Sequence, residues 1–62
     1  MAWLAIDKNG SEYIYNCKPI RKSDYFDYDE SYYDSGCIRL PNGSIKKLIG
    51  RELTWDDESV EI

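Results

Sequence analysis

Trp3-Leu4-Ala5-Ile6-Asp7-Lys8-Asn9-Gly10-Ser11-Glu12-Tyr13-Ile14-Tyr15-Asn16-Cys17 is the stretch on which the fold turns. Trp3 to Asp7 alternates faces, and so does Glu12 to Cys17, which is the pattern of two paired strands. Between them, Asp7-Lys8-Asn9-Gly10 has Asp at the first position and Gly at the fourth. That suits a type I turn closed by a G1 bulge, with Gly10 supplying the positive φ. A two-residue Asn-Gly turn is the rival register. It sets Asp7 opposite Glu12, and like charges facing each other across a strand pair cost stability. The bulged turn is therefore expected. It places Leu4, Ile6 and Ile14 on one face, as core. Trp3, Ala5, Tyr13 and Tyr15 share the other face, aromatic but carrying hydroxyls, and so either half-buried or displayed.

Working outward, Lys18-Pro19 ends the second strand, because proline cannot donate to a central ladder. The tract from Asp24 to Asp34 shows no periodicity that assigns it. Cys37-Ile38-Arg39-Leu40 reads as a third strand with Ile38 and Leu40 facing inward. Pro41-Asn42-Gly43 turns the chain, and Ser44 is a good helix N-cap. Ile45, Leu48 and Ile49 then fall at i, i+3 and i+4 as one apolar stripe, with Lys46 and Lys47 outside and Gly50 as the left-handed stop. So short a helix survives only when docked on a sheet. Glu52 to Ile62 reads as a short strand or extended arm, with Leu53 and Trp55 on one face and Val60 and Ile62 beyond a polar break. The expected fold is α+β, one domain over residues 1–62: a mainly antiparallel sheet of three or four strands with one short helix packed on it. A small SH3-like barrel is the alternative.

Composition narrows the function. The formal charge of −4 disfavours a general nucleic-acid binder, whose affinity comes from neutralising phosphates with Lys and Arg. No apolar run is long enough to span a bilayer. The first residues lack the basic and apolar regions of a signal peptide, so a cytosolic chain is expected. The chain has no histidine, so no Ser-His or Cys-His pair forms and Cys17 and Cys37 have no partner for a zinc site. Paired carboxylates of the glycosidase kind need a substrate cleft that a chain of this size hardly builds. Neither enzymatic activity nor a cofactor is expected. The two cysteines are expected as free thiols in a reducing compartment, with a disulfide open to them if their strands are neighbours.

Asp24-Tyr25-Phe26-Asp27-Tyr28-Asp29-Glu30-Ser31-Tyr32-Tyr33-Asp34 is the least ordinary feature. Tyrosine offers contact area at low conformational-entropy cost, and carboxylates add complementarity to a basic partner. The candidate contacts are Tyr28, Tyr32 and Tyr33, flanked by Asp27 and Asp29 and extended by Tyr13 and Tyr15. The plainer reading is an exposed loop or strand whose rings lean on the sheet. Asp27-Tyr28-Asp29-Glu30-Ser31 opens like a calcium loop but lacks the glycine at the sixth position and the glutamate at the twelfth, so no metal site is expected. Basic residues cluster at Lys18, Arg21 and Lys22 and at Lys46, Lys47 and Arg51. They form a phosphate-binding stripe only if folding joins the two groups.

Two stretches, Trp3 to Tyr15 as quoted and Leu40-Pro41-Asn42-Gly43-Ser44-Ile45-Lys46-Lys47-Leu48-Ile49-Gly50 followed by Leu53-Thr54-Trp55, resemble small uncharacterised proteins encoded by phages and prophages. The resemblance implies a short accessory protein acting in the cytoplasm of an infected bacterial cell, and carries no site residue or activity with it. The functional expectation is a non-enzymatic module that binds a host or phage protein through the acidic, Tyr-rich surface. The alternative is a minor structural or assembly component that self-associates, for instance as a homodimer.

Overall fold

The hairpin closes with the bulged turn. In the computed structural model, which describes residues 1–62, the Gly10 N–H donates to the Asp7 carbonyl at 2.9 Å and the Asp7 N–H to the Ser11 carbonyl at 2.9 Å. Gly10 takes φ 91°, a conformation that a residue with a Cβ rarely adopts. The consequence is the register Trp3 with Tyr15, Leu4 with Ile14, Ala5 with Tyr13 and Ile6 with Glu12, between β1 (Trp3–Ile6) and β2 (Glu12–Tyr15).

Two further strands extend this pair. β5 (Cys37–Leu40) lies against β2, and β6 (Val60–Glu61) against β1, so the sheet runs β5-β2-β1-β6, antiparallel throughout. The order runs from edge to edge without closing, so the α+β expectation describes the chain and the barrel does not. A second sheet, not foreseen, joins β3 (Ile20–Arg21) and β4 (Phe26–Asp27). Two-residue strands carry too little pattern to read from sequence.

The alternation in β1 and β2 puts apolar residues on both faces of the sheet, and both faces are covered. On one, Leu4, Ile45 and Leu53 are buried, with Ile6, Ile14, Leu40, Ile49 and Val60 packed against them. On the other, Ala5, Tyr15 and Phe26 are buried, with Trp3, Tyr13 and Trp55 around them. Leu53 and Trp55, expected on one face, therefore belong to opposite clusters. The segment they share thus reaches both clusters, Leu53 packing with Leu4 and Ile45 and Trp55 with Ala5, Tyr15 and Phe26.

The helix α1 (Ser44–Ile49) docks on the first face through Ile45 and Ile49. Leu48, expected to be buried with them, is 56% exposed. Leu53 fills the volume beside Ile45 instead. Ile38, expected to face the core, is 70% exposed: it points to the helix side, but β5 is the sheet's edge and nothing reaches over it. Ser44 is not the N-cap either. Gly43 holds that position, while the Ser44 hydroxyl donates to the Pro41 carbonyl at 2.6 Å. The opening N–H groups are met from the sheet: the Glu12 carboxylate accepts from Gly43 at 2.7 Å and from Ile45 at 2.8 Å. Glu12 is nearly buried, and no buried side-chain polar atom lacks a partner. Gly50 ends the helix as expected, at φ 79°, its N–H donating to the Lys46 carbonyl.

Candidate protein-binding surface

Phe26 anchors the acidic tract. Its N–H donates to Asp7 Oδ1 at 2.9 Å, its carbonyl accepts from the Tyr15 hydroxyl at 3.1 Å, and its ring meets Trp55 edge-on at 5.5 Å between centroids. Arg21 closes the same corner. Its guanidinium lies 4.7 Å from the Phe26 ring centre and 4.4 Å from that of Trp55, and donates to the carbonyls of Trp55 at 2.8 Å and Asp57 at 2.7 Å. The C-terminal segment is thereby tied to the second sheet.

Beyond β4 the chain turns on its own polar groups. Asp27 Oδ1 accepts the Tyr28 N–H at 2.9 Å. Asp29 Oδ1 accepts both the N–H of Ser31 at 3.0 Å and its hydroxyl at 2.6 Å, and the Asp29 carbonyl accepts the Tyr32 N–H. The Ser31 hydroxyl, then its N–H, hold the Asp29 carboxyl below the usual carboxylate range, with Lys22 adding to the effect. The tract's far end is pinned by Asn16, whose side-chain amide donates to the Asp34 carbonyl while its oxygen accepts the Gly36 N–H at 2.8 Å.

The backbone is thus held without the rings, and the rings point out. Tyr33 is 99% exposed, Tyr32 53% and Tyr28 39%, with Tyr25 exposed beside them. Asp27 and Asp29 stand at the base of this surface, half-buried. Of the hairpin tyrosines expected to extend it, Tyr15 does not. Tyr13 is half-buried, its ring 6.2 Å from that of Tyr15, and Tyr15 is 2% exposed, which removes it from any surface contact. Burial, followed by the neighbouring Cys37, Asp7, Tyr13 and Asp27, pushes the Tyr15 phenol well above its ordinary range.

Asp7, Glu12, Asn16 and Arg21 position this surface or its scaffold, and sequence reading did not single out their roles. Each acts on residues far along the chain, and Arg21 is legible in the sequence only as a member of the basic cluster with Lys18 and Lys22. Three residues of the basic clusters are engaged at separate places. Arg21 is held in the aromatic corner, Lys18 lies 5.7 Å above the Trp3 ring, and Lys46 faces Glu52 at 3.9 Å. Cys17 and Cys37 are unlinked although β2 and β5 are neighbours, because the register sets Cys37 opposite Tyr15. No group of three or more His, Cys, Asp or Glu side chains converges on a point, and no helix is long and apolar enough to cross a membrane. Compared with protein-family models, curated proteins and solved structures, the chain matches none.

Proposed function

We propose that the protein is a non-enzymatic binding module, whose displayed tract from Tyr28 to Asp34 recognises a basic surface on a protein partner. One observation carries the reading: Tyr28, Tyr32 and Tyr33 are exposed on a segment that hydrogen bonds of Asp27, Asp29 and Asn16 already hold in shape. Such rings arrive at a partner partly ordered, which lowers the entropy cost of binding. The net charge of −4 favours encounter with a basic partner and disfavours nucleic acid. The setting is the bacterial cytoplasm during phage infection, as the resemblance of the hairpin and helix stretches implies; a host or phage protein is then the partner.

The test is the triple variant Tyr28→Ser, Tyr32→Ser, Tyr33→Ser, with melting temperature and capture of protein from bacterial lysate measured on the same material. Exposed substitutions usually stay within about 0.5 kcal/mol each, so melting is expected to change little while salt-sensitive capture is lost. A variant that melts early, losing capture only as it unfolds, contradicts the proposal.

A further inference from the structure

The sheet has one open edge of useful length. β5 has four residues, whereas β6 at the other edge has two. Antiparallel ladders alternate hydrogen-bonded and non-bonded pairs. The bond from the Asn16 N–H to the Gly36 carbonyl sets the phase: Ile38 and Leu40 turn their backbone groups toward β2, and Cys37 and Arg39 turn theirs outward. No bond outside the ladders uses the outward groups. An edge with free N–H and C=O groups is a template for a further strand. Beside it, exposed Ile38 borders a shallow hollow of about 450 Å³ lined in part by Met1, Ala2 and Ile14.

We infer that β5 pairs antiparallel with the β5 of a second copy of this chain, with Ile38 against the partner's Ile38 at the two-fold axis. The free groups select this register. It sets Cys37 opposite the partner's Arg39, so that every outward N–H and C=O of the two residues is paired. An axis at Arg39 brings two guanidinium groups face to face, which is destabilising. An axis at Cys37 requires the Ser35 N–H, which already donates to the Tyr32 carbonyl.

Side chains agree with the backbone. At the axis the two Ile38 residues form a non-hydrogen-bonded pair, the closer of the two kinds, and cover each other. The partner's Leu40 falls opposite Gly36, where no side chain competes for space and a Cβ position is itself open. Four residues a side make a small interface, and the dimer is accordingly weak, with a dissociation constant between roughly 10 μM and 1 mM.

Sedimentation equilibrium from about 10 μM to 1 mM is expected to show the mass rising from one 7.3 kDa chain toward two. Ile38→Lys sets two ammonium groups at the axis and is expected to keep the chain monomeric throughout, with unchanged melting because residue 38 is exposed. Independently of that variant's folding, Ile38→Cys in a Cys17→Ser, Cys37→Ser background is expected to yield a disulfide-linked dimer on mild oxidation, since directly opposed residues lie within bridging range. Wild-type protein that stays single at about 1 mM leaves the edge for a strand of another protein and overturns the inference. So does a dimer that survives Ile38→Lys, which moves the contact elsewhere, or the absence of a linked dimer.

Discussion

Tyr15 shows how a single residue carries two duties that compete for the same ring. Its phenol donates to the Phe26 carbonyl at 3.1 Å, and its ring sits among Ala5, Phe26 and their neighbours in the second cluster. Tyr15→Phe keeps the ring and leaves that carbonyl unpaired, so a loss of about 1–2 kcal/mol is expected near neutral pH. The same burial raises the phenol's pKa in the folded chain, so the unfolded chain ionises first. The stability due to this group is complete below about pH 10 and falls as pH rises further, because the unfolded state then binds fewer protons. Urea midpoints at about pH 7 and about pH 11 are therefore expected to differ less for Tyr15→Phe than for wild type. A difference between the two proteins that is the same at both pH values contradicts the burial of this hydroxyl. Tyr15 was legible as a member of its face but not as buried, since the cover comes from Phe26 and Trp55, far along the chain. Glu12 was legible only as an unwelcome charge in a strand; its service to the start of α1 depends on a fold that brings residues 43 and 45 to it.

Local signals account for the elements read correctly. Gly10 sets the hairpin turn and Gly50 stops the helix, each through a positive φ within its own turn. The apolar stripe of α1 is wider in spacing than in burial, because spacing alone does not say which of three neighbouring side chains the sheet will accept. Ile45 is 1% exposed and Leu48 56%. Ile45→Ala is thus expected to cost about 2–5 kcal/mol, as a buried large-to-small change does, and Leu48→Ala to stay within about 0.5 kcal/mol. Thermal or urea unfolding of the two variants side by side checks this. Equal losses mean that Leu48 is packed and the helix is seated differently. β3 and β4 lay beyond sequence reading for a related reason: their pairing follows from the anchors on Phe26 and Arg21, not from a run of strand-forming residues.

Across the molecule, one central hairpin separates two clusters, and chain that is distant in sequence covers each. Leu53 completes the first, Phe26 and Trp55 the second, and Arg21 ties the C-terminal segment to the second sheet through two carbonyls. The tyrosine tract stands outside both clusters, so the proposed recognition surface consists of rings that neither cluster buries. Native-state hydrogen exchange measures the separation residue by residue. The N–H groups of Ala5 and Tyr13, paired within the hairpin, are expected to exchange only through global unfolding, slower than unprotected amides by about 10³ or more. Those of Glu30, Tyr33 and Asp34, which donate to no protein group, are expected to exchange near the unprotected rate. Protection of Tyr33 and Asp34 equal to that of Ala5 would place the tract inside the cooperative fold and contradict the account.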